Sequence, residues 1–412
     1  MKKALIIGCG KVARVAVPII GNNPNFFREI CLSSRTKAKC DEYKAKYSSD
    51  SLKVITAYVD VRNTEKTTLM VRIFKPDVVI NLAPSHLNLN IMELCLQTRA
   101  NYVDASMYYP RGSAICGLAE QKALNERFVN MGLTAITGCG FNPGVTGVFT
   151  QYAKTKLFDS ISSLDVIDVN AGTNAHPYLM NSPIITNIRQ ITSEGRYWEK
   201  GAFVKTAPIS VKAKYVFPEV GRRSLYLLDH EVLDSFAQEM PDIETIRFFS
   251  SFKRPFLYMV KTLETAGMTS TELIDIDGQQ ISPLAFLTEV MPQQEDLAAT
   301  AKGRTGIGCV FRGMKNGKEK TCMLYSTADH SECYEKYGAS ANDYMAAVPV
   351  VVGAIMILSE NWNKRGVHTV ADFDPEPFLE ELKNQGLEYK LVEKANIVDA
   401  ISDLAEDEED EE

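Results

Sequence analysis

The chain has 412 residues, of which 45% are hydrophobic and 24% are charged, as expected for a globular protein with room for two domains. Its apolar runs are shorter than the roughly 18 residues of a membrane span, and the short run that follows Met1 ends in glycines, as a buried strand does and a signal peptide does not. The formal net charge of −7 equals the charge of one acidic block, Glu406 to Glu412, so the formally neutral remainder disfavours nonspecific binding to nucleic acid or to an anionic membrane.

The acidic block and the cysteines narrow the class of protein further. We expect residues 399–412 to form an acidic disordered tail, because a segment with so few apolar side chains has almost nothing to bury. The nine cysteines are scattered and include no CxxC pair, a spacing that would indicate a zinc site or a disulfide framework. We therefore expect reduced thiols, no metal site, and a cytoplasmic protein that binds neither nucleic acid nor membrane.

Short apolar runs alternate with longer amphipathic segments through the first third of the chain. The predicted strands are Ala4–Gly8, Glu29–Ser33, Val54–Val61, Asp77–Ala83, Tyr102–Ala105 and Thr134–Thr137. The predicted helices between them are Val12–Ile20, Thr36–Tyr47, Thr64–Phe74, His86–Gln97 and Ala114–Met131. This alternation is typical of right-handed βαβ units. It predicts an α/β fold in which residues 1–150 form a Rossmann-type doubly wound parallel sheet.

The first strand-to-helix turn carries a dinucleotide-binding pattern, G-x-G-x-x-A. Gly8 permits the tight turn, Gly10 lets the backbone approach a pyrophosphate, and Ala13 lets the helix pack closely on the strand. The backbone at Lys11 and Val12 opens the helix, and the N–H groups at a helix N-terminus bind phosphate. The pattern is informative here because it follows a predicted strand and begins a βαβ series.

The end of the second strand indicates which cofactor is bound. Ser34, Arg35 and Thr36 stand where NAD-binding folds usually place an acidic residue, and hydroxyl and guanidinium groups suit the 2′-phosphate of NADP(H). Thr36 is also a possible cap of the next helix. Further residues at the carboxyl ends of the strands are expected to line the same crevice, namely Asp60, Val61, Asn81, Ala83, Pro84 and Ser106.

A change of pattern after residue 150 predicts a second domain. Strands are expected at Leu164–Val169, Ala213–Phe217 and Leu225–Leu228, with a hairpin formed by Gly308–Met314 and Glu319–Tyr325. Helices are expected at Val232–Gln238 and Arg254–Ala266. We predict an inserted α+β substrate and dimerisation domain over residues 151–338, built on an open antiparallel sheet. Residues 339–398, with helices at Asp343–Ser359 and Leu379–Gln385, are expected to return to the nucleotide domain.

Four segments outside the nucleotide motif resemble one family. They are Cys139–Tyr152, Asp168–Gly172, Gly195–Glu199 and the C-terminal pair Ala347–Pro349 and Phe373–Phe378. They resemble carboxynorspermidine (carboxyspermidine) dehydrogenase, of the saccharopine dehydrogenase-like family, and the resemblance covers roughly residues 3–392. One departure is that relatives tend to carry G-[FL]-D-P-G where this chain has Asn142, an amide that keeps the shape of Asp without its charge.

The resemblance implies a reaction. Aspartate β-semialdehyde and a diamine, putrescine or 1,3-diaminopropane, would condense to an imine that NADPH reduces, in polyamine biosynthesis. An arginine is needed for the substrate carboxylate, and the candidates are Arg189, Arg196 and Arg222. An acidic group is needed for the distal ammonium, and the candidates are Asp168 and Glu231. A proton-transfer group is needed for loss of water, and the candidates are His176, His230 and Cys139. Asn142, Pro143, Gly144 and Asn170 complete the predicted substrate site, and a homodimer is expected.

Other interpretations remain open at this point. His176 is also typical of a solvated turn, His230 of a paired structural histidine, and Cys139 of a small packing residue. Arg196, beside two aromatic residues, is also typical of a stacked guanidinium. The same fold supports a saccharopine dehydrogenase, which would join α-aminoadipate semialdehyde to glutamate in lysine metabolism. A catalytically silent NADP-binding protein is the third hypothesis.

Overall fold

The computed structural model describes residues 2–111, 116–180 and 184–401. The acidic block at Glu406 to Glu412 and the beginning of the predicted helix Ala114–Met131 lie outside these residues. The chain divides into two compact units. The first unit comprises Met1–Leu157 and Asp343–Tyr389, and the second unit comprises Phe158–Asn342 with the chain from Lys390 onward.

The first unit begins with alternating strands and helices. They are β1 (Lys2–Ile7), α1 (Lys11–Gly21), β2 (Phe27–Ser34), α2 (Lys37–Tyr47), β3 (Lys53–Tyr58), α3 (Thr64–Phe74), β4 (Val78–Asn81), α4 (Asn88–Thr98), β5 (Asn101–Asp104), α5 (Leu118–Lys122), α6 (Asn125–Met131), β6 (Thr134–Ile136) and α7 (Val145–Tyr152). Where one helix was predicted up to Met131, the described residues form two short helices.

The second unit follows directly. Its elements are β7 (Ser160–Asn170), α8 (Ile184–Thr192), β8 (Gly195–Glu199), β9 (Ala202–Thr206), β10 (Lys212–Phe217), β11 (Gly221–Leu227), α9 (Val232–Glu239), β12 (Thr245–Ser251), α10 (Arg254–Thr265), β13 (Ile274–Ile276), β14 (Gln279–Ile281), α11 (Pro283–Val290), α12 (Gln294–Thr300), β15 (Arg304–Lys315), β16 (Lys318–Asp329) and α13 (His330–Tyr337). The predicted hairpin is present, with Asn316 and Gly317 at its turn.

The C-terminal part of the chain contributes to both units. It contains α14 (Ala341–Leu358), β17 (Gly366–His368), α15 (Pro375–Asn384), β18 (Lys390–Glu393) and β19 (Ala400–Ile401). Helix α14 is long and apolar enough to cross a membrane, but most of it is buried inside the protein. The structure differs from the expected return of residues 339–398, because β18 pairs with a strand of the second unit. It also corrects the start of the predicted disordered tail 399–412, because β19 pairs with β10.

The sheet of the first unit has seven parallel strands in the order β17-β6-β5-β4-β1-β2-β3. Its central strands are continuously apolar, as expected for strands covered by helices on both faces. The predicted doubly wound parallel sheet is therefore confirmed, with β17 as a seventh strand that the sequence analysis missed. Strands β1 and β4 are neighbours although helices and two strands separate them in sequence, so the order reverses between them, and ligands of such folds bind at this switch point.

The large sheet of the second unit is mixed rather than antiparallel. Its main path runs β18-β16-β15-β7-β12-β11-β10-β19, with β8 and β9 attached at β12. Strands β7 and β12 are parallel, which corrects the expected antiparallel sheet. Alternate residues of β7 face opposite sides, and Ile167 and Val169 belong to the hydrophobic core on one side. Asp168 and Asn170 therefore face the other side.

Candidate active site

The first turn of the first unit has the geometry that the glycine pattern predicts. Gly8 has φ +112°, and a Cβ there would lie 2.6 Å from the carbonyl carbon of Leu82. A Cβ on Gly10 would meet nothing within 4 Å. Gly8 is thus required by the packing of the protein itself, whereas Gly10 leaves open space at the start of α1, where backbone N–H groups have no intrahelical acceptor.

A cavity of about 490 Å³ lies at the carboxyl ends of β1 to β4, at the switch point. We call it the switch-point cavity. Its lining includes most of the predicted cofactor residues, namely Gly8, Gly10, Ser34, Arg35, Thr36, Asp60, Val61, Ala83 and Pro84. Of the other predicted residues, Lys11, Val12 and Ala13 form the first turn of α1. The cavity therefore brings residues from four separate strand ends to one place.

The corner of the switch-point cavity beyond β2 is cationic. Arg35 is exposed there, and Lys39 and His86 also line the cavity. The pKa of His86 is lowered by burial and by neighbouring cations, of which Arg35 is one. Thr36 is the N-cap residue of α2, yet its side chain makes no capping hydrogen bond. A cluster of cations beside the hydroxyl groups of Ser34 and Thr36 suits a phosphate ester, in agreement with the NADP prediction.

Asp60 has a different environment from the one expected. Its carboxylate accepts two hydrogen bonds from the guanidinium of Arg62, at 2.9 and 2.7 Å. These bonds lower the pKa of Asp60 to about 2. The carboxylate predicted to face an adenine is thus already engaged by an arginine that also lines the switch-point cavity.

Asn81 and Ser106 are associated with a buried polar network beneath the loops. The amide of Asn81 donates to Asn88 and to the hydroxyl of Tyr102, and its oxygen accepts from the backbone of Ala83. Asn88 in turn donates to the carbonyl of Ser106. Asn81 therefore shapes the loop that lines the switch-point cavity but is itself absent from the lining.

Asp104 is the centre of that network. Its buried carboxyl accepts from Tyr102, Asn88 and Gln121, and from the backbone N–H of Gly138 at 2.6 Å. Burial raises its pKa to about 7. Each of these donors comes from a different element or loop, so the hydrogen bonds of Asp104 fix the position of the loop after β6 relative to β5.

The glycine-rich loop after β6 is packed tightly on itself. A Cβ on Gly144 would lie 1.8 Å from the carbonyl oxygen of Gly140, and a Cβ on Gly140 would lie 2.3 Å from that of Ala105. Pro143 is buried and follows a cis peptide bond, and Asn142 accepts a hydrogen bond from Thr146 at the start of α7. These contacts account for the loop's composition without a ligand.

Cys139, predicted as a proton-transfer candidate, is a packing residue in the structure. Its side chain is fully buried, and its thiol donates to the carbonyl of Pro349 in α14. Burial raises the pKa of the thiol above its usual range. A thiol that is neutral and closed off from solvent in this way has no access to a reacting proton.

The second unit gathers several polar side chains on the side of its sheet opposite the hydrophobic core. We call this side, with Asp168, Asn170, His230, Lys253 and His330, the polar face. Asp168 is partly buried and makes no hydrogen bond or ion pair with the described residues. Burial raises its pKa to about 7. A carboxyl group that changes charge near neutral pH can bind a cation or transfer a proton.

His230 follows β11 and covers a neighbouring aromatic ring. Its imidazole lies 4.2 Å from the ring centroid of Phe248, which is two residues before the strand neighbour of Asp168. Its Nδ1 accepts from the backbone of Val232, so Nε2 carries the proton. Burial lowers the pKa of His230 to about 4. His230 is therefore a neutral hydrogen-bond donor at physiological pH.

His330 and Asn170 are two buried residues of the polar face whose side chains lie against each other. His330 accepts from the backbone of Ala341 at Nδ1, and its Nε2 lies 3.4 Å from the side-chain oxygen of Asn170. Burial lowers the pKa of His330 to about 4. The buried amide nitrogen of Asn170 has no hydrogen-bond partner among the described residues. A buried donor without an acceptor reduces the stability of the fold, and a role in binding is one reason for such a donor to be retained.

Lys253 is a residue that the sequence analysis missed. It is partly buried at the N-cap of α10, shortly after β12, and its ammonium makes no hydrogen bond or ion pair with the described residues. Burial and the nearby charge of Arg223 lower its pKa. The only signal in the sequence is a lysine between a strand and a helix, which is too common to single out.

The remaining predicted residues do not join these groups. Arg196 is held by Asp229 and Asp234 and stacks on Phe203, so its charge is already neutralised by two carboxylates. The stacked interpretation of Arg196 is therefore the one that the structure favours.

Four candidates on other parts of the second unit are also accounted for. His176 is exposed in a loop, Arg189 is exposed on α8, and Arg222 is exposed on β11. Glu231, in contrast, is buried at the start of α9.

Two family models match the chain. The "Saccharopine dehydrogenase NADP binding domain" matches residues 4–136, and the "Saccharopine dehydrogenase C-terminal domain" matches residues 140–387. Together they span most of the described structure.

Curated relatives match over nearly their whole length. A carboxyaminopropylagmatine dehydrogenase from Synechocystis is 37% identical over 95% of this chain and 98% of its own length. A carboxynorspermidine synthase from Vibrio alginolyticus is 31% identical over 94% and 96%. Among solved structures, saccharopine dehydrogenase (L-Glu forming) from Saccharomyces cerevisiae has a TM-score of 0.72 at 17% identity, covering 95% of this chain and 100% of that one. The last match shows the fold alone.

Proposed function

Since the chain belongs to the saccharopine dehydrogenase family, as an NADP-dependent oxidoreductase of polyamine biosynthesis, we propose that it reduces an imine formed from aspartate β-semialdehyde and a primary amine. The amine attacks the aldehyde carbon, and the carbinolamine loses water to give the imine. When bound, NADPH would supply the hydride that adds to the imine carbon, and a proton on the nitrogen completes the secondary amine. The product keeps the α-amino acid group at one end and the second cationic group of the amine at the other.

Both ends of such a product need a partner of opposite charge, and the polar face carries one of each sign. The observation that supports the proposal best is Asp168, a carboxyl group without a cationic partner among the described residues. We propose that Asp168 binds the distal cation of the amine. Ionisation of Asp168 then becomes more favourable when that cation arrives, because the opposite charge offsets the desolvation.

Lys253 is proposed to bind the carboxylate of the aldehyde substrate. It is the complementary group, a partly buried ammonium without a hydrogen bond or ion pair among the described residues. It replaces Arg196 in this role, since that guanidinium is already held by two carboxylates. His230, a neutral imidazole with its proton on Nε2, is proposed as a hydrogen-bond donor that orients the carbinolamine oxygen while water is lost.

The identity of the amine is open between two chemical classes. Putrescine and 1,3-diaminopropane end in an ammonium, whereas agmatine ends in a guanidinium. Agmatine is favoured as a further candidate by the 37% identity to the carboxyaminopropylagmatine dehydrogenase, compared with 31% for the carboxynorspermidine synthase. A single carboxylate such as Asp168 binds an ammonium or, in a bidentate manner, a guanidinium.

The test is NADPH oxidation by the purified protein with aspartate β-semialdehyde and, in separate reactions, putrescine, 1,3-diaminopropane, agmatine or no amine. We expect oxidation only with an amine, and the rates rank the three amines. A parallel reaction with α-aminoadipate semialdehyde and glutamate tests the saccharopine alternative. Binding of NADPH without turnover of any pair would contradict the proposal and favour the silent NADP-binding protein.

A homodimer is proposed through the second unit. The hairpin β13–β14 belongs to neither large sheet, and Ile274 and Ile276 on it are exposed, as is Leu273 just before it. Phe286 and Val290 on α11 are exposed as well. A small isolated hairpin is marginally stable, so contact with a second copy would stabilise it. Sedimentation of wild type and of Ile276→Asp tests this, and a monomeric wild type would contradict it.

A further inference from the structure

The first unit contains two thiols in direct contact that the proposed reaction does not use. Cys9 lies between the two glycines of the first strand-to-helix turn, and Cys40 is the fourth residue of α2. Their Sγ atoms are 2.9 Å apart. Both side chains are almost fully buried, but Cys9 also belongs to the lining of the switch-point cavity. A small oxidant that enters the cavity in the absence of the cofactor therefore reaches the pair through Cys9.

The contact couples the two thiols chemically. The hydrogen bond between the two thiols lowers the pKa of Cys40 and raises the pKa of Cys9. A thiolate is the reactive form of cysteine. Cys40 is therefore the more nucleophilic thiol of the pair, and Cys9, with which it is in contact, is the thiol that lines the cavity.

We propose that Cys9 and Cys40 are a site of reversible oxidation, at which a peroxide or an oxidised dithiol converts the two thiols into a disulfide. With hydrogen peroxide, the two thiols lose two electrons and two protons, one S–S bond forms, the O–O bond breaks, and two molecules of water leave. With an oxidised dithiol, the electrons and protons pass to that disulfide instead. The inference depends on NADP binding in the first unit and not on the identity of the amine.

The bond affects the cofactor because both thiols lie on elements that line the switch-point cavity. A disulfide requires an S–S distance of about 2.05 Å and a dihedral angle near 90°, so the glycine turn and α2 must shift relative to one another. Gly10 and Arg35 flank these elements on the cavity. We expect oxidation to weaken NADPH binding by roughly fivefold, as the loss of about one hydrogen bond would.

The first measurement is chemical and independent of activity. Reduced protein is treated with hydrogen peroxide, its remaining thiols are alkylated under denaturing conditions, and peptides are mapped by mass spectrometry. We expect one Cys9–Cys40 disulfide, which leaves seven of the nine thiols free, and we expect saturating NADPH to protect the pair. The proposal is overturned if the pair stays reduced while Cys116 is oxidised, or if Cys9 or Cys40 pairs with Cys31 instead.

The second measurement uses NADPH fluorescence titration before and after oxidation, and again after dithiothreitol. We expect the wild type to lose affinity and recover it, and Cys40→Ser to show no change on oxidation. Cys95→Ala is the matched control, since Cys95 is an equally buried thiol on α4 of the same unit, and it should behave as the wild type does. Equal loss of affinity in Cys40→Ser would contradict the inference. Cys40→Ala replaces the serine variant if the latter fails to fold.

Discussion

The switch-point cavity and the polar face differ in which parts of the chain form them. The switch-point cavity is built from backbone, since a glycine turn, a helix N-terminus and the loops after four parallel strands all come from consecutive βα units. The polar face is built from side chains that are far apart in sequence, from Asp168 on β7 to His330 on α13. A site formed by backbone geometry can be recognised from a local pattern in the sequence. A site formed by side chains from distant strands has no such pattern.

The two sites also differ in how much their charged groups reduce the stability of the protein. In the switch-point cavity the charged groups are exposed or already paired, as Asp60 is with Arg62. On the polar face, burial raises the pKa of Asp168 and lowers those of His230 and His330, and each shift favours the neutral form. Such groups reduce stability and are retained for binding or proton transfer. The predictions below test this contrast.

Gly8→Ala should have the largest effect. A Cβ at this position would lie 2.6 Å from the backbone of Leu82, and the residue has positive φ, so the turn must distort. We expect the melting temperature to fall and the affinity for NADPH to drop by about 100-fold, the equivalent of about 3 kcal/mol of strain. Gly10→Ala is the matched control: it should keep the melting temperature, because its Cβ meets nothing, and lose only cofactor affinity. Equal melting temperatures for both variants would contradict the assignment.

Asp168→Asn should remove activity while stabilising the protein. We expect kcat/KM for the amine to fall about 100-fold. The wild-type profile should rise with pH through about 7, as the carboxyl group ionises, and the variant should lack that inflection.

The stability of the same variant has a definite sign. The folded pKa of about 7 lies above the unfolded value of about 3.9. Wild type therefore loses stability as pH rises from about 4 to 7, because the carboxyl group ionises in the unfolded state while the buried one keeps its proton. Asp168→Asn should be more stable than wild type by about 1–2 kcal/mol at pH 8 and by less at pH 5. Thermal unfolding at the two pH values checks this.

Asp165→Asn is the matched comparison, three residues earlier on β7 and on the other face. Asp165 is buried and paired with Arg247 at 2.6 and 2.7 Å. Its substitution leaves the partly buried guanidinium of Arg247 without its charge partner and should destabilise the protein by about 3 kcal/mol. Stabilisation by both substitutions would contradict the distinction between a functional and a structural carboxylate.

Lys253→Met should act on one substrate only. Loss of a charge-assisted hydrogen bond should raise KM for aspartate β-semialdehyde roughly 10- to 100-fold and leave NADPH affinity unchanged. Arg189→Met is the control, because that arginine is exposed on α8. If both variants raise KM equally, Lys253 does not bind the substrate carboxylate.

Arg35→Ser should change cofactor preference by a smaller factor. Arg35 lines the cationic corner of the switch-point cavity, so we expect NADPH affinity to fall about tenfold and NADH affinity to stay the same. Arg62→Ser should have less effect on the ratio, since Arg62 is bound to Asp60. A parallel loss for NADPH and NADH would show that Arg35 does not contact the 2′-phosphate.

Removal of residues 406–412 should have the smallest effect. The rest of the chain is formally neutral, and we expect kcat/KM to stay within about twofold of wild type, as surface changes away from a site usually do. A large loss of activity would mean that the acidic tail takes part in binding or assembly.

Much of the first unit could be predicted from the sequence, because its signals are local. Apolar runs predicted β1 to β6, and the G-x-G-x-x-A turn placed Gly8 and Gly10 correctly. Strand β17 was missed because three residues, Gly366–His368, are too few to show a period. The predicted Cys139 and Arg196 turned out to be held by contacts to Pro349 and to two aspartates, which no local pattern reveals.

The sequence by itself determined the doubly wound first unit, the cofactor turn and the family, since each depends on spacing within a short segment. The tertiary structure alone decided that Asp168 lacks a partner among the described residues while Asp165 has Arg247. It also placed His330 against Asn170 and Cys9 against Cys40. The physical reason is that burial, pKa and pairing are properties of neighbours in space, and a β-sheet takes those neighbours from strands far apart in the chain.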